Sequence, residues 1–229
     1  MPTAAASTET LLEVFTRYNQ DLWPAHLVAY ALGAALVTLL VLRPRATRAI
    51  TSILAVLWIW LGVVFQGMYA TDLDAVLGAA YAVLFVGQGV LFIIAGRRGQ
   101  VTFEPDAPRV RWWGGWAALS YALLVYPVVG IALGHGWPES PLFGMAPCPT
   151  TIATFGILLL TSPPAPRHLL VVPLIWALLA PPAAVGRGVW EDLGLLVVGI
   201  AAAALLLRRR PPRRGVSRGE SARMEAIVR

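Results

Sequence analysis

The placement of arginine around seven apolar stretches limits most severely what this chain can fold into. The stretches run 22–42, 49–69, 75–95, 112–133, 150–161, 169–185 and 189–207. Most approach the ~20 apolar residues needed to cross ~30 Å of hydrocarbon. The linkers after the first, third, fifth and seventh carry Arg43, Arg45 and Arg48, then Arg97, Arg98, Arg109 and Arg111, then Arg167, then the block from Arg208. The other side holds Arg17 and Arg187 alone. Basic residues accumulate on the cytoplasmic side of a membrane. The expectation is therefore an all-α, polytopic membrane helical bundle of seven transmembrane segments, its amino terminus outside and its carboxyl terminus in the cytoplasm.

Composition supports one bundle and little else. With 58% hydrophobic and 13% charged residues there is no material for a second globular domain. The expected organisation is an extracytoplasmic segment at 1–21, the bundle at 22–207 and a disordered basic tail at 208–229. In the first segment Met1 to Ser7 reads as irregular. Leu11, Val14, Phe15 and Tyr18 then follow helical spacing, with Thr10 and Glu13 placed as a capping box, so an amphipathic helix lying on the outer membrane surface is expected. Glu9 and Glu13 argue against a cleaved signal peptide. A net charge of +6 invites a nucleic-acid reading, but the arginines sit in short loops and one tail. Topology and contact of the tail with anionic lipid account for them, and no nucleic-acid partner is expected. All the basic residues are arginine, which suits a bacterial source and a place in the bacterial cytoplasmic membrane.

The fifth stretch is too short to span. From 150 to 162 it covers thirteen residues, about 20 Å at 1.5 Å per residue. The run 134–149 before it holds four prolines and three glycines and cannot be regular helix. If the short helix reaches the cytoplasmic face, this run must fold back into the bundle, where irregular backbone is tolerated only inside protein or along a wet cavity. A polar pocket open to the outside follows, unless the bilayer thins locally instead.

Cys148 falls at the end of that pocket. Pro149 suits a first helical position, which puts Cys148 at the helix cap, in the positive end of the helix dipole. There it reads either as a buried small hydrophobe or as a thiolate ligand. His26, Gln66, His135, Met145, Thr150 and Thr151 map to the same side, the threonines also being able to satisfy carbonyls one turn back. Asp72, Asp74, Glu139, Glu191 and Asp192 fall on the outer connections and make the mouth acidic, which concentrates cations. Cys148, His135 and Met145 together offer a soft metal ion such as Cu(I) a ligand set, though their spacing is not an established metal motif. A lone cysteine excludes an internal disulfide and any multi-cysteine metal motif.

Absences narrow the function further. The middles of the apolar stretches carry no Asp, Glu or Arg, Gln88 being the strongest polar group there, which argues against ion-coupled pumping. Seven helices with an outer amino terminus suggest a rhodopsin, but a retinal Schiff base needs lysine and the chain has none. Covalent retinal is excluded. No P-loop, GxSxG or HExxH pattern occurs.

Tyr18-Asn19, Trp23-Pro24, Tyr126-Pro127, Gly134-His135, Trp137-Pro138, Pro141-x-Phe143-Gly144 and above all Pro147-Cys148-Pro149-Thr150-Thr151-Ile152 resemble a family of bacterial integral membrane proteins of unknown function. The resemblance covers residues 9 to 207 and departs from the family pattern at Ala153, where the family has Phe; Met145 is not part of the pattern. It implies a multi-pass inner-membrane protein and supplies no activity. The leading expectation is a non-enzymatic protein that binds or passively transports a small ligand, a soft cation among the candidates, through Cys148, His135, His26, Gln66, Thr150 and Thr151. The alternatives are an accessory subunit docked on a membrane-protein partner or a second copy of itself, and a membrane enzyme with Cys148 as nucleophile and His135 beside it.

Overall fold

A computed structural model of the chain describes residues 4–103, 107–186 and 188–207, with side chains from residue 11 onward. The basic tail and Arg187 lie outside the described residues, and with them the expectation of lipid contact by the tail. All regular structure among the described residues is helical. Six helices are long and apolar enough to cross a membrane, which marks a multi-pass membrane protein: α2 (Trp23–Leu42), α3 (Thr47–Asp72), α4 (Ala75–Arg97), α5 (Arg109–Ala132), α7 (Arg167–Val185) and α8 (Trp190–Leu207). They are joined by a shorter apolar helix, α6 (Pro147–Leu159), and preceded by α1 (Ala4–Asp21).

The helix α1 starts earlier than the sequence suggests. Residues 4–7, expected to be irregular, continue it, as their alanines favour. Its apolar stripe is covered by protein as well: Val14, Phe15 and Tyr18 are buried, the last with no exposed surface. The Phe15 ring stacks on Phe65 of α3 at 5.2 Å, and Arg17 pairs with Asp72 at the end of α3. The apolar side of this helix packs on the bundle.

The short helix α6 is the axis of the fold. All thirteen of its residues are buried, whereas each long helix leaves one side exposed. It crosses α5 at two facing glycines: a Cβ on Gly156 would lie 2.8 Å from the Gly115 carbonyl oxygen, and one on Gly115 would lie 2.8 Å from the Gly156 oxygen. Only a pair of residues without side chains lets the backbones come this close. On another side Trp58 of α3 donates its indole N–H to Thr154 Oγ1 at 3.0 Å. Arg111 of α5 closes the far end by donating to the Thr161 carbonyl, placing a cation where the helix dipole is negative.

A helix buried at both ends must satisfy its terminal backbone groups. Pro147 and Pro149 both fall in the first turn of α6, so two of its first amides have no hydrogen to satisfy. Thr150 Oγ1 accepts from the Gly144 amide and donates to the Ala146 carbonyl, both at 2.8 Å, which ties the incoming loop to the helix. Gly144 there has φ +76, and a Cβ on it would lie 2.6 Å from Ala29 Cβ of α2, so no other residue fits.

Two long helices widen near this point. In α3 the segment Leu61–Tyr69 is π-helical, and the Ala70 amide bonds to the Phe65 carbonyl five residues back. In α5 the segment Tyr121–Val125 does the same, with the Tyr126 amide on the Tyr121 carbonyl. Such wide turns cost hydrogen-bond geometry and are found frequently at functional sites.

Candidate functional site

Between α1, α3, α4, α7 and the start of α6 lies a cavity of about 320 Å³. Phe15, Phe65, Tyr81 and Trp176 supply aromatic walls, and Leu77 of α4 and Leu179 of α7 form an apolar rim. The polar groups converge from three directions: Gln66 from the π segment of α3, Cys148 from the first turn of α6, and Tyr126 with Asp192 from α5 and α8. Most of the lining is apolar with a few placed polar groups, the usual make-up of a small-molecule site.

Asp192 organises the floor. Its carboxylate accepts from the Tyr126 hydroxyl through Oδ1 and from the Cys148 thiol through Oδ2, the latter at 3.1 Å. It is 5% exposed. Glu191 beside it is 2% exposed, and its Oε1 lies 2.9 Å from His135 Nδ1. Tyr121 also donates to the Glu191 carbonyl at 3.2 Å. The 3₁₀ turn Trp190–Asp192 produces this arrangement by tucking both acids inward instead of leaving them on the surface. The expected place of Glu191 and Asp192 at an exposed acidic mouth is thereby corrected: side chains that looked like loop charges are packed under the loop 134–146.

Cys148 is the second residue of α6, two positions further in than the expected cap, because Pro147 and not Pro149 opens the helix. It serves as a hydrogen-bond donor to a carboxylate and not as an anionic ligand. A thiolate here would face a second anion, and the helix dipole is too weak to offset that at contact distance.

The remaining expected site residues divide between the cavity and its supports. Gln66 lines the cavity, 2% exposed, with its amide Nε2 unpartnered and no hydrogen bond to any described residue. His26, His135, Met145, Thr150 and Thr151 are not among the cavity-lining residues. His26 bonds Asn19 Oδ1 through Nε2 at 3.1 Å and the Trp23 carbonyl through Nδ1 at 3.0 Å. Met145 receives the Tyr18 hydroxyl at 3.9 Å. Thr150 and Thr151 donate to the carbonyls of Ala146 and Pro147, each at 2.8 Å. The proposed soft-metal ligands Cys148, His135 and Met145 thus serve three different partners, and the described residues contain no group of three or more His, Cys, Asp or Glu that could hold a metal ion. The imidazole that a nucleophilic Cys148 would need is engaged by Glu191.

These residues still do work. Asn19 of α1 donates through Nδ2 to the carbonyls of Pro138 at 2.6 Å and Ser140 at 2.9 Å, while His26 holds its oxygen. The buried polar cluster of Asn19 and His26 therefore pins the proline-rich loop over the floor, so the cavity roof and the Cys148 turn are fastened to α1 and α2. Sequence reasoning missed Tyr126, Trp176 and the inward role of Asp192. Signals were present in Tyr126-Pro127 inside an apolar run and in two acids directly preceding one.

No curated protein and no solved structure matches the chain. A family profile does match it across residues 8–215, most of its length and every helix that builds the cavity. The chain belongs to the family of unknown function DUF6064.

Proposed function

We propose that this is a bacterial cytoplasmic-membrane protein whose cavity at the amino end of α6 binds a small amphipathic ligand, admitted from the outer side. The single observation that carries the reading is the Gln66 amide, buried on the cavity wall with no hydrogen-bond partner among the described residues. An unsatisfied buried amide costs about 1–3 kcal/mol, and a bound ligand would recover it. The π-helical segments that place Gln66 and Tyr126 support the same reading. The uneven split of arginine supports an outer position for α1 and the cavity and a cytoplasmic position for Arg43, Arg97 and Arg98. Seven segments would then lie within the membrane, with α6 enclosed by the others. A small organic ligand fits this lining better than a soft metal ion, since the sulfur and imidazole groups already have partners.

Filling the cavity tests the proposal. Ala180→Phe places a ring in a site lined by Phe65 and Trp176. Wild type in non-ionic detergent should gain thermal stability from 4-phenylbutanol, because a ligand that binds the folded state raises its melting temperature. Ala180→Phe should not. An equal gain in both proteins would show that the effect arises elsewhere. Reporter fusions after Arg48 and Gly99 should read cytoplasm and those near Asp72 and Glu139 the opposite side; a cytoplasmic signal at Glu139 would overturn the orientation.

A further inference from the structure

Asp192 lacks what the other paired acids have. Asp72 has Arg17 and Glu191 has His135, but no cationic side chain among the described residues lies within ion-pair distance of Asp192. Its hydrogen bonds come from a phenol and a thiol, both neutral. Buried charges in proteins are ordinarily paired, because the cost of removing an ion from water is several kcal/mol. Here the uncompensated carboxylate lies on the wall of a cavity instead of in packed core, and Asp74 adds a second acid at the same cavity.

The rest of the lining shows what kind of cation would complete it. Four aromatic residues, Phe15, Phe65, Tyr81 and Trp176, line the space, and ammonium groups are attracted to aromatic rings. An inorganic ion needs about six or more oxygens closing on one point, whereas here Asp74 already caps α4 through the Val76 and Leu77 amides and Asp192 is held by Tyr126 and Cys148. Leu77 and Leu179 line the cavity yet are 51% and 53% exposed, so its rim is continuous with the apolar outer face of α4 and α7. A ligand reaching Asp192 past that rim must carry its charge on an apolar body. We propose that the cavity takes an amphipathic organic cation, an alkyl- or arylalkyl-ammonium, with its nitrogen on Asp192, its body against Trp176 and Phe65, and the Gln66 amide free for a second polar group. This deepens the ligand-binding reading above and rests on it.

The test compares three probes of one shape on the full chain in non-ionic detergent: 4-phenylbutylammonium, 4-phenylbutanol and 4-phenylbutyrate. Binding is read by melting temperature and by tryptophan fluorescence. The ammonium should bind about tenfold or more tighter than the alcohol, as a charge-assisted contact outdoes a neutral one, and the acid should bind weakest. Asp192→Asn should bring the ammonium-to-alcohol ratio to about one while keeping alcohol binding. Trp176→Leu, which leaves the carboxylate in place, should weaken the ammonium and so gives a second reading if the asparagine variant fails to fold. Equal binding of ammonium and alcohol by wild type would overturn the cation proposal and leave the pocket standing. Failure of all three probes to bind, with Ala180→Phe melting well below wild type because its ring finds no space, would remove the pocket as well.

Discussion

Replacing Gly156 by alanine should loosen the whole bundle, and the size of the effect follows from the crossing of α5 and α6. The new Cβ would lie 2.8 Å from the Gly115 oxygen, 3.0 Å from the Leu119 nitrogen and 3.3 Å from Ala118 Cβ. Close carbon-to-oxygen contacts in proteins settle at about 3.3–3.6 Å. The helices must therefore separate by roughly 0.5 Å, and because two of the three neighbours are backbone, no side-chain rotation relieves the clash. Overpacking of this kind costs about 1–3 kcal/mol, offset by up to ~1 kcal/mol from replacing glycine within a helix. A net loss of about 1–2 kcal/mol corresponds to a fall of roughly 2–8 °C for a chain of this size. Gly115→Ala meets the Gly156 oxygen at the same 2.8 Å and should behave alike. Gly87→Ala is the control, since a Cβ there meets nothing within 4 Å and should raise the melting temperature slightly. Tryptophan fluorescence during heating in detergent reads all three variants. If Gly156→Ala melts at or above wild type while Gly87→Ala falls, the close-packed crossing is not what holds α6 in place.

Two further outcomes follow from the site. Asn19→Ala removes both hydrogen bonds that pin the loop over the floor, so Cys148, the chain's one cysteine and 8% exposed, should react with a maleimide several times faster than in wild type, read by mass shift against time; an unchanged rate would mean that the loop is held elsewhere. Tyr126→Phe takes one of two donors from the buried Asp192 carboxylate and should lower stability by about 1–3 kcal/mol in a thermal melt, whereas Tyr81→Phe, on the cavity wall with no such bond, should not.

Much of the scaffold was legible in the apolar runs, because a 20-residue stretch without charge leaves the backbone few alternatives to a helix. The burial of the part of the loop nearest α6, from Ser140 onward, was legible too, since four prolines and a helix of thirteen residues do not suit a simple span. Gln66 and Cys148 stood out as polar or reactive groups within apolar or proline-flanked segments, and both line the cavity. Tyr126 and Asp192 did not. A π segment advances the helix by an extra residue, so the facing of Tyr126 after Tyr121–Val125 cannot be read from a period of 3.6. Asp192 looked like a connection residue because sequence gives no sign that the turn Trp190–Asp192 folds beneath a loop more than fifty residues earlier. His26 and His135 were rightly marked as polar groups of this end, but their partners Asn19 and Glu191 lie seven and 56 residues away, and those partners decide that they support the site instead of lining it.

The enclosure of α6 also constrains how the chain is assembled. As it leaves the ribosome α6 comes after α2 to α5 and before α7 and α8, and it has no face of its own to offer to lipid. At about 20 Å it is too short to rest stably across a bilayer, so it has to be received by α3 and α5, through Trp58 and the paired glycines, and then sealed by the two helices made last. The binding floor follows the same schedule: Cys148 waits for Asp192, which arrives only with α8. Synthesis interrupted before α8 would leave a chain with most of its helices and no finished site, uncovering Cys148, which bonds Asp192, and Phe155, which lies beside Gly199 of that helix.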